Sequence, residues 1–147
     1  MPPRIAKVVV ERLPDVAPPP LPARATEGSA CFDLACAETV VLTRRRVTLV
    51  RTGLKMRAPP GTFLEVRPRS GLSTRGVLMA NAPGTIDRDY SGEIRVPLTY
   101  LFQGRSTIRA GDRIGQIRVV EDRPATFVSG RVAPRRSRSG GFGSTGR

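Results

Sequence analysis

The chain has 147 residues with 25 basic and 12 acidic side chains, which gives a formal net charge of +13. A length near 150 residues is typical of one domain, whose core is large enough to fold without disulfides or a structural metal. The longest stretch without a charged side chain, residues 76–86, has 11 residues, whereas a membrane-spanning helix needs about 20 apolar ones. Residues 1–4 are not followed by the apolar segment of a secretory signal, so we expect a cytoplasmic protein.

The side chains available for chemistry exclude several classes of enzyme. The sequence contains no histidine, so Ser-His and Cys-His pairs are excluded and a carboxylate is the only base available near neutral pH. Cys31 and Cys36 are the only cysteines, which does not favour a zinc site, and we expect both to pack in apolar surroundings. The positive charge predicts a polyanionic partner, either nucleic acid or a small phosphorylated ligand. A general preference for arginine, which supplies 23 of the 25 basic residues, is the alternative cause.

Short apolar runs separated by Gly, Pro and Asp recur along the chain, a pattern typical of an all-β barrel or sandwich with about nine or ten strands. The clearest predicted strands are residues 8–10, 40–42, 47–50, 62–67 and 94–102. In the last of these, every second side chain from Ile94 to Phe102 is apolar, as a strand with one buried face requires. Pro97 predicts an edge strand or a bulge there. We predict an extended connection over residues 14–22 and a turn at residues 58–61.

Four segments are rich in Gly, Ser, Asn, Arg and Asp, which strands do not require. They are residues 28–34, 67–72, 81–93 and 131–147. In the second, Ser70 and Gly71 can turn backbone N–H groups toward one point beside Arg69, which suits an anion, although a plain turn fits as well. In the third, we expect Asp87 and Asp89 on one side of an extended chain and Tyr90 on the other, and a solvated hairpin also explains this segment. Beside arginines, however, such an aspartate can orient a water for attack on phosphorus.

The four segments, together with residues 111–117, resemble the five ordered motifs of the trimeric dUTP pyrophosphatases, or dUTPases, over nearly the whole chain. The matching stretches are residues 30–34, 68–72, 84–93, 111–117 and 140–146. The resemblance implies an all-β fold, a distorted jelly-roll β-barrel of the β-clip type, in a homotrimer whose active sites lie at subunit interfaces. Residues 1–130 would form the barrel, and residues 131–147 a Gly- and Arg-rich arm that closes over the site of a neighbouring subunit.

The resemblance also implies a reaction. Asp87 would be the general base for a water that attacks the α-phosphorus of dUTP and releases dUMP and pyrophosphate, which removes dUTP and supplies dUMP for dTMP synthesis. Mg²⁺ would be bound mainly by the triphosphate. The residues implied to bind the substrate are Arg69, Ser70, Gly71 and Gln116 at the phosphates, Asn81, Gly84, Thr85 and Ile86 at uracil, Tyr90 at deoxyribose, Arg95 at the rim, and Phe142, Gly143, Ser144 and Thr145 from the arm. Asp33 and Asp89 would support the site from outside it, Asp89 through a turn hydrogen bond or an ion pair.

The arm departs from the family pattern at one position. The family usually has Arg five residues before the arm Phe, where this chain has Ser137 between Arg136 and Arg138. We assign the γ-phosphate contact to Arg138. Without the resemblance, this tail is explained as a disordered arm, and Gln116 as a polar residue on an edge strand.

Two other functions remain as alternatives. The related dCTP deaminases place a catalytic Glu where this chain has Pro97, which can neither accept nor donate a proton. An arginine-rich, non-catalytic nucleic-acid-binding protein is the second alternative, because the net charge and the tail suit phosphate contacts. We expect nucleic-acid binding at most as a charge-driven side activity, because few aromatic residues are available for base stacking.

Overall fold

The computed structural model describes residues 5–133, which contain ten strands and one short helix. The elements are β1 (Val9–Arg12), β2 (Phe32–Ala35), β3 (Val40–Thr43), β4 (Thr48–Arg57), β5 (Thr62–Arg67), α1 (Ser70–Ser73), β6 (Val77–Met79), β7 (Gly84–Ile86), β8 (Glu93–Tyr100), β9 (Arg105–Ile108) and β10 (Arg113–Glu121). The all-β prediction is therefore confirmed, and the strand count agrees with it. No helix in this part of the chain is long and apolar enough to cross a membrane.

The strands form two four-stranded sheets and a two-stranded ribbon. The first sheet has the order β1-β4-β8-β6, the second has the order β2-β10-β5-β7, and the ribbon joins β3 to β9. All of these strand pairs are antiparallel. Neighbouring strands in each sheet are thus mostly distant in sequence, so the sheets bring widely separated motifs side by side.

The hydrophobic core lies between the two four-stranded sheets and follows from the alternation of side chains along each strand. In β8, Ile94, Val96 and Leu98 are almost fully buried, and in β5 the buried side chains are Leu64 and Val66. Each such side chain stabilises the fold by roughly 1.5–3 kcal/mol through removal of apolar surface from water. The prediction of a strand over residues 62–67 is confirmed in its bounds.

The prediction for residues 94–102 is wrong at its C-terminal end. β8 stops at Tyr100, and Phe102 is 51% exposed although it continues the apolar alternation. The N–H of Leu101 donates to the carbonyl of Gly76, the last contact of this register, and the chain leaves the sheet after it. The ring of Phe102 then packs edge-on against Tyr100. Its apolar side chain therefore makes an aromatic contact from outside the strand and does not extend the buried face of β8.

Pro97 does not mark an edge strand, because β8 lies between β4 and β6. The missing N–H is tolerated because β6 ends at Met79, and only the carbonyl of Pro97 is used beyond that point, where it accepts from the N–H of Ala80. A bulge does exist in this sheet, but it lies in β4, between Arg51 and Lys55.

The predicted connections are confirmed, whereas the helix and five strands, β2, β6, β7, β9 and β10, were missed. Residues 14–22 form no strand or helix, and the N–H of Thr62 donates to the carbonyl of Pro59 in the predicted turn. β2 and β10 coincide with motif segments whose polar residues mask the alternation. β10 lies between β2 and β5, so Gln116 is not on an edge strand. Residues 70–73 form one helical turn rather than a plain turn between strands.

Candidate active site

The second sheet has one apolar and one polar face. Gln116 of β10 pairs with Asp33 of β2 on one side and with Arg67 of β5 on the other. Side chains at directly opposed positions point to the same face of a sheet, so these three polar groups share one face. The next positions along the strands are Leu34, Val66 and Ile117, which are buried. The same strand register therefore buries the apolar side chains in the core and places the polar side chains of three motifs together on the opposite face.

Asp33 holds two arginines beside this face. Its Oδ1 accepts from Nε of Arg69 at 2.9 Å, and its Oδ2 from a terminal nitrogen of Arg113 at 3.3 Å. Arg69 also donates to the backbone carbonyl of Arg113 at 3.4 Å. Both carboxylate oxygens are thus occupied by guanidinium groups. The expected supporting role of Asp33 has a direct physical basis, because a carboxylate on Nε fixes the plane of the Arg69 fork.

The loop after β5 is tied down on both sides of Arg69. Nε2 of Gln116 donates to the carbonyl of Pro68 at 2.8 Å, and the N–H groups of Leu72 and Ser73 donate to the carbonyl of Arg69. Ser70 and Gly71 remain exposed next to the guanidinium. Together they line a cavity of about 160 Å³, the anion pocket, formed by Ala25, Ser29, Cys31, Asp33, Arg69, Ser70, Gly71 and Gln116.

The two cysteines have different surroundings. Cys36 is 2% exposed, and burial is the main reason that its pKa lies above the ordinary value. The prediction that it packs in the core is confirmed. Cys31 is only half-buried and lines the anion pocket, together with an adjoining cleft that reaches Ala82 and Pro83. The prediction of packing is therefore wrong for Cys31, because the polar face of the sheet is open there.

The segment expected to read uracil follows β6 and enters β7. Gly84 pairs with Val66 of β5, one residue from Arg67. Asn81 folds back over Gly84, since a β-carbon at Gly84 would lie 3.2 Å from the side-chain nitrogen of Asn81. Thr85 and Ile86 continue along β7. The Asn81 amide therefore lies close to the backbone of Gly84, which has no side chain. The donor and acceptor of the amide thus lie beside backbone groups of β7, the edge strand of the second sheet.

Residues 87–90 form a turn rather than the extended chain that was predicted. The N–H of Tyr90 donates to the carbonyl of Asp87 at 3.1 Å, and the Tyr90 hydroxyl donates to the carbonyl of Glu93 at 2.9 Å. Asp87 and Asp89 both line one open cleft with Thr62, Phe63, Thr85, Arg88 and Asp122. Asp87 and Asp89 do lie together. The Tyr90 phenol, however, is hydrogen-bonded to the backbone carbonyl of Glu93, three residues further along the chain.

One chain does not bring Asp87 to the anion pocket. Ile86 pairs with Leu64, so Asp87 follows on beside Phe63, while Gln116 pairs with Arg67 at the other end of β5. Four residues of strand separate these levels, which is about 13 Å along the strand direction. The anion pocket and the segment between β7 and β8, which we call the 87–92 turn, are therefore two separate parts of one chain.

The remaining predicted residues lie elsewhere. Arg95 is on the outer face of β8, where its Nε donates to the Glu93 carboxylate at 3.0 Å. Arg138, Phe142, Gly143, Ser144 and Thr145 lie outside the described residues. Sequence reasoning assigned no role to Arg113 or to the Glu93 carboxylate. The only signal for either was its place within a motif, because their partners are tens of residues away in the sequence.

The fold and the anion pocket together define a class: an antiparallel β-barrel protein with an arginine and hydroxyl pocket suited to phosphate groups. A model of the dUTPase family matches residues 17–146. The chain belongs to the dUTPase family.

Individual relatives agree with this assignment. The chain is 45% identical over 144 residues to the deoxyuridine 5'-triphosphate nucleotidohydrolase of Anaeromyxobacter sp. (strain Fw109-5), with 95% of this chain and 97% of that protein covered. Two solved structures share the fold. A mutant dUTPase of phage phi11 of S. aureus, for which coordination of a structural Mg(II) ion is described, has a TM-score of 0.74 at 20% identity, covering 86% and 97% of the two chains. A mutant dUTPase of Staphylococcus bacteriophage 80alpha with dUpNHpp has a TM-score of 0.72 at 23% identity, covering 95% and 98%.

Proposed function

We propose that this chain is a dUTP diphosphatase, which hydrolyses dUTP to dUMP and pyrophosphate by attack of water on the α-phosphorus. The observation that carries the proposal is the anion pocket, in which Asp33 orients Arg69 next to the exposed Ser70 and Gly71. A guanidinium held in one plane presents a fork of donors that matches phosphate oxygens. Family membership then selects the phosphorylated ligand, because the relatives are named for dUTP.

The anion pocket holds the phosphates. Arg69 and Ser70 supply side-chain donors, Gly71 leaves the backbone accessible, and Gln116 fixes the loop through the carbonyl of Pro68. Its role is to position the triphosphate for in-line attack, since most of the catalysis of phosphoryl transfer is positioning and electrostatic stabilisation. Arg138 and the glycine-rich stretch around Phe142 would complete the enclosure from the arm.

The donor set fits a Mg²⁺ ion that arrives with the triphosphate. Residues 5–133 contain no group of three or more carboxylate or thiol side chains that could hold a metal, and both oxygens of Asp33 are paired with arginine. Mg²⁺ commonly binds through substrate phosphates with few protein ligands. When bound, the ion neutralises charge on the phosphate oxygens.

Asp87 is the proposed general base. With histidine absent from the sequence, a carboxylate has to take the proton of the attacking water. Asp87 is exposed at the start of the 87–92 turn, where a water can reach it. Asn81 and the backbone of residues 84–86 read uracil, and Tyr90 packs on deoxyribose and leaves no room for a 2′-hydroxyl. Asp89 is assigned a structural role beside Asp87, and Arg95 a place at the rim.

The distance within one chain supports active sites shared between copies, and we propose that these copies form a homotrimer. A general base has to lie within hydrogen-bond reach of its water, and the 87–92 turn is too far along β5 to serve the anion pocket of the same chain. We therefore assign each site to the anion pocket of one copy and the 87–92 turn of another. The barrel is proposed to span residues 1–130, with residues 131–147 as the arm, in a cytoplasmic protein.

The test is pyrophosphate release from dUTP, dCTP, dTTP and UTP with Mg²⁺, for the wild type and for Asp87→Asn. We expect rapid release from dUTP alone, reduced by roughly 10²–10⁴-fold in the variant, as loss of a general base implies. Release from all four nucleotides would contradict the assigned uracil and sugar contacts. Full activity of Asp87→Asn would contradict its role as the base, and absence of release from any nucleotide would contradict the proposed function.

The alternatives predict different results. Deamination of dCTP lacks a proton-transferring side chain at Pro97, so we expect no dUTP to form from dCTP. Charge-driven binding to nucleic acid would follow from the net charge of +13, would weaken steeply with salt, and would be intact or slightly stronger in Asp87→Asn.

A further inference from the structure

The carboxylate of Glu93 lies at the base of the 87–92 turn and is the most heavily bonded acidic group on the outer face of the first sheet. Only 7% of its side chain is exposed. Nε of Arg51 donates to both oxygens at 3.0 Å, Nε of Arg95 donates to Oε2 at 3.0 Å, and the N–H of Gly53 donates to Oε1 at 2.9 Å. A carboxylate that is this deeply buried and accepts from charged and backbone donors is held in one rotamer.

These donors come from the bulge in β4. Arg51 pairs with Arg95 and Lys55 pairs with Glu93, so β4 has two more residues than β8 between the same two rungs. Gly53 lies in this bulge with a φ of +67°, and a β-carbon there would lie 2.7 Å from a methyl carbon of Val16. The Glu93 carboxylate occupies the opening that the bulge creates. Bulges of this kind bend strands and redirect side chains next to functional sites.

The backbone of the same residue holds the turn. The carbonyl of Glu93 accepts from the Tyr90 hydroxyl, and the N–H of Tyr90 donates to the carbonyl of Asp87. The phenol also lies over Gly92, where a β-carbon would be 2.5 Å from the hydroxyl oxygen. The side chain of Glu93 is thus bonded to the β4 bulge, while its backbone carbonyl is bonded to Tyr90, whose N–H is bonded in turn to the backbone of Asp87.

We propose that Glu93 is a positioning residue for the reaction: its carboxylate locks the 87–92 turn onto the β4 bulge and so sets the place of Tyr90 and of Asp87. The inference rests on the proposed function for its kinetic consequences. Glu93 touches no reacting atom. It acts because a phenol that excludes a 2′-hydroxyl has to be held to within a fraction of an ångström, and the turn itself is exposed to solvent.

The test compares kcat/KM for dUTP and for UTP in the wild type, Glu93→Ala and Glu93→Gln. The ratio of the two values is independent of the fraction of folded enzyme, so a loss of stability alone does not change it. We expect the ratio to fall at least tenfold in Glu93→Ala, with a lower kcat for dUTP. In Glu93→Gln we expect a fall of about threefold, because the amide keeps one acceptor for Gly53 but turns an NH₂ group toward an arginine.

Asp15→Asn is the matched control. Asp15 is the other carboxylate on Arg51, at 2.9 Å, and is well exposed, so its loss leaves the contacts of Glu93 to Gly53 and Arg95 in place. We expect the dUTP to UTP ratio of this variant to stay within twofold of the wild type. An unchanged ratio in Glu93→Ala would overturn the inference, and if that variant does not fold, an unchanged ratio in Glu93→Gln would do so.

A second readout does not depend on the reaction. The chain has two tyrosines and no tryptophan, so in a Tyr100→Phe background the tyrosine emission comes from Tyr90 alone. We expect the emission intensity and its quenching by iodide to change in Glu93→Ala and to remain unchanged in Asp15→Asn. If the wild type shows no preference for dUTP, the proposed function fails, while unchanged Tyr90 emission would refute the positioning role of Glu93 by itself.

Discussion

Replacing Asp33 by Asn tests whether the plane of the Arg69 guanidinium controls turnover. The substitution keeps the size of the side chain and removes its charge. In the native chain Oδ1 accepts from Arg69 at 2.9 Å and Oδ2 from Arg113 at 3.3 Å, and both Asp33 and Arg69 are mostly buried. In Asp33→Asn the amide oxygen can still accept from Arg69, whereas the amide nitrogen has no lone pair for Arg113.

The expected size of the effect follows from these two contacts. The guanidinium stays charged, so its bond to the amide oxygen remains within the range of about 1.5–3 kcal/mol for hydrogen bonds to charged groups, and loss of the carboxylate charge moves it from the upper to the lower end of that range, by about 1.5 kcal/mol. That difference corresponds to about tenfold in an equilibrium constant. We expect kcat/KM for dUTP to fall about tenfold in Asp33→Asn, and about 100-fold in Asp33→Ala, where the remaining hydrogen bond is lost as well.

Steady-state pyrophosphate release measures both variants, and thermal unfolding checks that they are folded at the assay temperature. Asp15→Asn again provides the control, because it removes a carboxylate from an arginine that lies outside the anion pocket. We expect its kcat/KM to match the wild type. A value for Asp33→Asn within threefold of the wild type would refute the argument that Asp33 orients Arg69 for phosphate binding.

Three further predictions concern the assembly and the thiols. Mixing unfolded Asp87→Asn and Arg69→Ala chains and refolding them together should restore up to about a quarter of wild-type turnover, because random assembly gives that share of sites an intact anion pocket and an intact 87–92 turn from different copies; no recovery would refute shared sites. A disulfide reagent at neutral pH should react with the half-buried Cys31 and reach Cys36 only after unfolding. Because burial raises the pKa of Cys36, the stability from its neutral thiol is present below the ordinary cysteine pKa and is lost as the pH rises through the folded value. The midpoint of thermal unfolding should therefore fall less steeply above pH 9 in Cys36→Ala than in the wild type, and equal slopes would contradict this cause.

Local patterns in the sequence were sufficient for the all-β class and for the elements with clean alternation. In residues 62–67 the apolar Leu64 and Val66 alternate with Glu65 and Arg67, and β5 has the predicted bounds. Alternation failed where a neighbouring loop ended the strand, as at Phe102, and where motif residues replaced apolar ones, as in β2 and β10. The family motifs predicted that Arg69, Gln116 and Asp33 belong to one site. The pairing of Gln116 with Asp33 and the hydrogen bond from Arg69 to Asp33 do place them together.

The sequence by itself determined which chemistry is possible: a histidine-free chain with a carboxylate as its only base, an excess of arginine, and the five motifs. Only the tertiary structure decided which of these groups meet. Arg113 reaches Asp33 across 80 residues, and Arg51 reaches Glu93 across 42, pairings that depend on strand order and on a bulge in β4. The same strand order keeps Asp87 away from the anion pocket of its own chain. The physical reason is that antiparallel pairing joins strands distant in sequence, so side-chain distances are set by register and not by spacing along the chain.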